Sequence, residues 1–235
     1  MPSDEDTLGD KDRIIKALGE KYTNIVMPYD VVKTLYPMCR NSSFKITVTM
    51  IKKEYNWLIT KVESGNTSKN HYGLAVDLGS TTIIMQLVDL NNGQVIAEES
   101  TFNKQIKYGE DILSRIFYTK QYEDGLKEIQ NSTIESFKEL IDKLENKTNI
   151  EIKSCGIMTV AGNTTMMHFL LGINPWTIFQ SPFTPVFNEG GFIKGKEIGI
   201  PIDGYVYCFP SVANYFGGDL VSGLLYSEIY KKDEL

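Results

Sequence analysis

Cysteine and histidine are scarce: the 235 residues include three cysteines and two histidines. Cys39, Cys155 and Cys208 stand far apart, with no C-x-x-C pair and no iron–sulfur spacing. They read as buried free thiols of a reducing compartment. His71 and His168 are too distant in sequence to suggest a local metal site. Basic charge is in deficit, with a net charge of −6, which argues against a general nucleic-acid or anionic-membrane surface. No apolar run is long enough to cross a bilayer. The opening Met1-Pro-Ser-Asp-Glu-Asp6 is acidic and has no apolar signal region. The ending Lys232-Asp-Glu-Leu235 spells an ER-retention address, but such an address needs prior entry to the ER. It therefore reads as coincidence, and a cytoplasmic location is expected. G-x-x-x-x-G-K-[ST], G-x-G-x-x-G and G-x-S-x-G are all missing, so P-loop, dinucleotide and serine-hydrolase readings lack their motifs.

What is present is enough apolar residue, 42% against 23% charged, to build a core for one large domain with a smaller one attached. The spacing predicts a frayed tail over 1–10, a small α+β module over 11–64, a polar linker over 65–71 and a main domain over 72–235. In the small module, Asp10 is placed to cap a helix over Lys11–Leu18. A second helix is expected over Val31–Tyr36, stopped by Pro37, followed by strands over Phe44–Met50 and Trp57–Val62. The main domain reads strand, strand, strand, helix, strand, helix, strand, helix. Its last helix is expected within Ser211–Leu225, and Asn174–Pro201 reads as a loop-rich excursion or docking surface.

The main domain opens on Gly73-Leu-Ala-Val-Asp-Leu-Gly-Ser-Thr-Thr82, where an apolar strand ends at Asp77 and a turn follows. Gly79 lets backbone approach a ligand closely, and successive turn N–H groups can form an anion-binding concavity. Ser80, Thr81 and Thr82 add hydroxyl donors, and Asp77 can hold Mg²⁺ through its waters, because Mg²⁺ dehydrates reluctantly. An ordinary hairpin with a polar turn fits the same residues. Further on, a strand runs into Gly162-Asn163-Thr164-Thr165 at a helix start, which suits either an anion site or a simple N-cap. Asp111 and Arg115 fall four apart on one helix, as a surface ion pair would. Asp219 follows Gly217-Gly218, as a cleft carboxylate or a helix-dipole acid would.

Taken in order, five blocks resemble one family, the reductive activators of corrinoid proteins: Tyr72–Thr82, Leu87–Gly93, Asn103–Ile116, Gly162–His168 with Leu171–Pro175, and Gly217–Gly223. The resemblance implies an α/β fold. It would be the first lobe of the ASKHA-type ATPase shared by actin, hexokinase and the heat-shock chaperones (ribonuclease H-like), with a mixed five-stranded sheet and a preceding small α+β domain. It implies an ATP- and Mg²⁺-dependent protein that returns an inactive Co(II) corrinoid to Co(I) with a low-potential electron from a [2Fe-2S] cluster. The partner would be a corrinoid iron–sulfur protein or a methyltransferase corrinoid subunit, and a homodimer is admitted. By resemblance, Asp77, Gly79, Ser80, Thr81 and Thr82 form the first phosphate loop, and Gly162, Asn163, Thr164 and Thr165 line the nucleotide cleft. Asp111 and Arg115 would face that cleft, and Asp219 would join Asp77 as a catalytic or Mg²⁺-water carboxylate. The family's cysteine-rich ferredoxin-like domain and the second lobe have no counterpart in the sequence. A fragment whose parent holds the ATPase activity is therefore expected. A small-molecule kinase of the same fold and a non-catalytic docking module are the competing readings.

Overall fold

The computed structural model describes residues 2–214 and 216–231; the Lys232–Leu235 address lies outside the described residues. The chain divides into two compact units, one ending at His71 and the other starting at Tyr72.

The first unit contains α1 (Asp10–Leu18), β1 (Ile25–Val26), α2 (Tyr29–Val32), α3 (Leu35–Asn41), β2 (Ile46–Lys53) and β3 (Asn56–Ser64). β2 and β3 form an antiparallel hairpin, and the short β1 adds in parallel to the far edge of β3. Ile14 of α1 and Leu35 and Cys39 of α3 bury their side chains with Ile59 and Val62 of β3. Gly9, not Asp10, is the N-cap of α1, and the single helix expected over Val31–Tyr36 is divided between α2 and α3. Pro37 does not stop a helix but lies in the first turn of α3, where its missing N–H would have had no intrahelical partner. The stretch expected to fray carries a turn in which Ser3 and Asp6 exchange two backbone hydrogen bonds of 3.1 Å, and the Asp6 carboxylate pairs with Arg13 of α1.

The second unit contains β4 (Tyr72–Leu78), β5 (Thr82–Asp89), β6 (Gln94–Phe102), α4 (Ile112–Gln121), α5 (Gly125–Thr148), β7 (Ile157–Gly162), α6 (Thr164–Leu171), α7 (Trp176–Phe179), β8 (Gly191–Lys194), β9 (Tyr205–Cys208) and α8 (Gly218–Ser227). The sheet order is β6-β5-β4-β7-β9-β8. β4, β5 and β6 run antiparallel in sequence, and β7 and β9 lie parallel to β4. The first five strands in this order form the ribonuclease H-like arrangement of the ASKHA-type lobe. The sheet has six strands, however, not the expected five. β8 emerges from the loop-rich excursion and pairs antiparallel with β9, with Phe192 opposite Tyr207 and ring centroids 4.8 Å apart. Such a cross-strand aromatic pair stabilises an edge, and it covers a strand that would otherwise be open.

Strand alternation decides which face of the sheet carries the core. Leu74, Val76 and Leu78 of β4 and Ile83, Met85 and Leu87 of β5 are all buried. They meet Phe137, Leu140, Ile141 and Leu144 of α5, whose 24 residues present these groups as one stripe. Each such side chain contributes about 1.5–3 kcal/mol by burial. The intervening residues, Ala75 and Asp77 of β4 and Ile84 and Gln86 of β5, turn to the other face. The core and the candidate site therefore occupy opposite sides of the same strands. The helix expected within Ser211–Leu225 starts only at Gly218, and an Ala213–Phe216 bridge precedes it.

Candidate functional site

Parallel pairing puts Leu78 beside Gly162, so the turns that follow β4 and β7 are neighbours at the carboxyl ends of their strands. Ligands of open α/β sheets bind at such ends. The first turn, Gly79 to Thr81, is closed so tightly that a Cβ on Gly79 would stand 2.4 Å from the Thr82 carbonyl oxygen. Ser80 is half-buried, and Thr81 and Thr82 are exposed, so this turn has an open face. The start of α8 closes on the second turn, where a Cβ on Gly217 would stand 2.4 Å from the Asn163 Cα. Gly79, Gly162 and Gly217 thus bring three backbone segments into one place. Gly223, by contrast, has open space where its Cβ would be.

A cleft of about 550 Å³ lies on the face of the sheet opposite the core. Asp77 of β4, Gln86 of β5, Glu98 of β6 and Thr159 of β7 line one side, and Asp219 and Ser222 of α8 line the other. Among the described residues that line it there is no lysine or arginine. The cleft walls restrict water around Asp77, and the Asp219 carboxylate adds like-charge repulsion; both raise the Asp77 carboxyl above its ordinary range. Asp219 itself accepts a hydrogen bond from the Leu220 N–H at 2.8 Å. Gln86 donates to Glu98 at 2.6 Å. Among the described residues no cluster of three or more His, Cys, Asp or Glu side chains is arranged to hold a metal ion directly. Asp77 and Asp219 repel one another here, with Glu98 as a third carboxylate in the lining; a divalent cation would relieve that repulsion, which suits an Mg²⁺ ion bound through its waters. Cys39, Cys155 and Cys208 are all buried and form no disulfide among the described residues, with Cys39 in the first unit and the other two in the second. Burial pushes the Cys208 thiol up to about 12.

The other predicted residues separate into distinct places. Asn163 caps α6, its side chain accepting from the Met166 N–H at 2.9 Å. The Thr164 hydroxyl donates to the Ala213 carbonyl at 2.9 Å and ties α6 to the turn before α8. Asn163 and Thr165 line a second cavity, which shares no lining residue with the Asp77 cleft. Neither Asp111 nor Arg115 lines the Asp77 cleft. Asp111 caps α4, accepting from the Ser114 N–H at 2.8 Å and its hydroxyl at 2.9 Å, and these bonds hold its carboxyl below the usual range. Arg115 is wholly buried. Its guanidinium donates to the Gly109 carbonyl at 2.9 Å, the Gln105 side chain at 3.1 Å and the Glu110 carbonyl at 3.4 Å. The buried stripe of α4 carries it inward, where these bonds brace the segment that leads into the helix.

Asn103 is the residue that motif reading passed over. It is 1% exposed. Its backbone N–H donates to the Thr81 carbonyl at 2.8 Å and its amide to the Gly79 carbonyl at 2.9 Å. Its own oxygen accepts from the Gln105 N–H at 3.0 Å. Gln105 in turn donates to Thr133 of α5 at 2.6 Å. The first turn is therefore bolted to the helical layer through side chains. The available signal was an asparagine at the end of a strand, a residue type that readily caps the following turn.

A family model described as the RACo middle region matches residues 72–232, and one described as the RACo linker region matches residues 1–69. A curated relative, the corrinoid activation enzyme RamQ of Eubacterium limosum, is 28% identical over 91% of this chain and 40% of that protein. A solved structure described as a reductive activator for corrinoid,iron-sulfur protein superposes with a TM-score of 0.91 at 33% identity, covering 100% of this chain and 38% of that one. The chain thus spans about two fifths of the length of these relatives. With both regions matched in order along nearly all its length, the chain belongs to the RACo family, of which it carries the linker and middle regions.

Proposed function

We propose that this chain supplies the phosphate- and metal-facing part of an ATP-dependent reductive activator that returns a corrinoid protein from Co(II) to Co(I). One observation carries this reading: the Gly79, Gly162 and Gly217 backbones converge at the strand ends beside the cleft that Asp77 and Asp219 share. In this role the N–H groups of the Gly79–Thr82 turn and of the α6 and α8 N-termini receive phosphate oxygens. The hydroxyls of Ser80, Thr81 and Thr82 add donors. Asp77 and Asp219 hold the waters of Mg²⁺, which when bound neutralises charge on the phosphates. Transfer of the terminal phosphoryl group to water would then rest on positioning and charge stabilisation. Asn103 acts through the turn, fixing the Gly79 and Thr81 carbonyls so that the intervening N–H groups are oriented before ligand arrives. The same reading extends to an iron–sulfur electron donor and a corrinoid partner; it is supported by the family resemblance and by longer relatives described as a corrinoid activation enzyme and a reductive activator for corrinoid,iron-sulfur protein.

Isothermal titration with Mg·ATP of this chain, alone and with the remaining regions of RamQ supplied, tests the reading. Weak binding alone that tightens on addition supports it. No binding in either case would contradict it. A second reading, a docking module, draws on the exposed apolar residues Leu220, Leu224, Leu225 and Tyr226 of α8. Saturable binding of a corrinoid protein without ATP would favour that alternative.

A further inference from the structure

The second cavity, of about 400 Å³, lies between α4, α7 and the start of α6. Its size falls within the range of small-molecule sites. Ile112, Leu113 and Ile116 of α4 form one wall, and Ile178, Phe179 and Phe183 form the other. The walls are braced. Phe117 of α4 meets Phe179 and Trp176 of α7 edge to face, with centroids 5.2 and 5.7 Å apart. Phe183 holds a left-handed backbone at φ 58°, a conformation that a bulky residue adopts only under constraint. Its carbonyl accepts a hydrogen bond from the Asn214 side chain. The loop that follows is pinned by His168, whose Nε2 accepts from the Val186 N–H at 3.2 Å while its ring stacks on Phe187.

Three polar side chains complete the lining: Asn163, Thr165 and Asn214. The oxygen of Asn163 is committed to capping α6, which leaves its amide N–H groups as donors. No hydrogen bond among the described residues engages the Thr165 hydroxyl. Among the described residues no charged side chain lines the cavity. Its occupant must therefore be neutral, because a charge entering apolar walls without a partner is strongly disfavoured. One aliphatic wall facing another that carries Phe179 and Phe183, with a short polar edge, suits a ring that bears a heteroatom, its apolar faces against these side chains and one edge on Asn163 and Thr165.

We propose that this cavity binds a neutral, flat heteroaromatic group, as a site distinct from the Asp77 cleft and requiring no nucleotide there. Asn163 and Thr165 then serve this ligand with their side chains while the backbone of the same turn faces the phosphate position. Occupancy would brace that turn from behind.

Indole is the test probe, because it is uncharged, flat and carries one N–H. Saturation-transfer NMR on the 235-residue chain without nucleotide should show saturable indole binding, with indole-3-carboxylate excluded by its charge. Leu113→Trp, at a lining position that is 48% exposed, should fill the cavity and weaken indole binding at least about tenfold without lowering the melting temperature. Thr165→Val, which keeps the shape and removes the hydroxyl, should weaken it by a smaller factor. Absence of saturable binding to the unmodified chain would overturn the proposal. So would equal affinity in Leu113→Trp, or carboxylate binding as tight as indole. Mg·ATP binding is measured separately, and its loss or retention bears on the Asp77 cleft alone.

Discussion

Two groups of polar residues lie close to the β4–β5 turn, and they are built on opposite terms. Behind the turn, Asn103, Gln105, Thr133 and Arg115 are all buried, and their side chains join one hydrogen-bonded network. In front of it, Asp77 faces Asp219 across a cleft, with its carboxyl pushed up by restricted solvation and by its neighbour's charge. Residues that are charged and partnered on every side hold a fold together. Residues that are charged, clustered with like charge and left facing space are poised for a ligand. Arg115 and Asp77 look alike as motif residues, and the difference in partners separates them.

The comparison can be broken first at Arg115. Arg115→Ala removes the donors to the Gly109 and Glu110 carbonyls and to Gln105. Buried acceptors left without donors are costly, and we expect a loss of about 3 kcal/mol in urea unfolding. A loss below about 0.5 kcal/mol would show that the network is incidental. Next comes Gly79→Ala, where the added Cβ must displace the Thr82 carbonyl from 2.4 Å. A cost of about 2 kcal/mol is expected, and Asn103→Ala should share part of it, because both act on one turn.

A milder effect follows from His168. Its Nε2 accepts from Val186, so Nδ1 carries the proton that goes to the Thr164 carbonyl at 2.7 Å. Burial pulls its pKa below the ordinary value, against the Thr164 bond that raises it. Below about pH 6.5 the unfolded chain binds a proton that the folded chain resists. Stability should therefore be full above that pH and fall as pH drops toward the folded value. His168→Gln should flatten this part of a melting-temperature profile, and an unchanged profile would remove His168 from the account. The smallest effect on stability is expected at Asp77. Asp77→Asn relieves like-charge repulsion and should leave the melting temperature unchanged or slightly raised, as at a site where stability is traded for function.

How far the sequence was legible follows the same division. The apolar runs Gly73–Leu78 and Ile83–Val88 and the long stripe of α5 record local burial, so those elements could be read directly, whereas the face that each strand turns to the core emerges only from packing. The glycine at 79 marked its tight turn. Pro37 misled because a proline's position within a helix depends on where the helix begins, which is set by packing of Leu35 and Cys39. β8 was hidden because its four residues, Gly191–Lys194, carry too little pattern, and only the pairing with β9 makes them a strand. Arg115 could not be told from a surface residue, because its three acceptors lie five to ten positions away and converge only when α4 packs. Asp219 required tertiary contact in the same way: nothing local says that α8 faces Asp77.

The most direct test of the central claim, that Asp77 and Asp219 make a phosphate–Mg²⁺ seat, is phosphorus NMR of ATP titrated with this chain in the presence and absence of Mg²⁺. The account predicts Mg²⁺-dependent broadening of the phosphate resonances that disappears in Asp77→Asn, whose melting temperature is undiminished. Broadening that is the same without Mg²⁺, or that persists in Asp77→Asn, would contradict it.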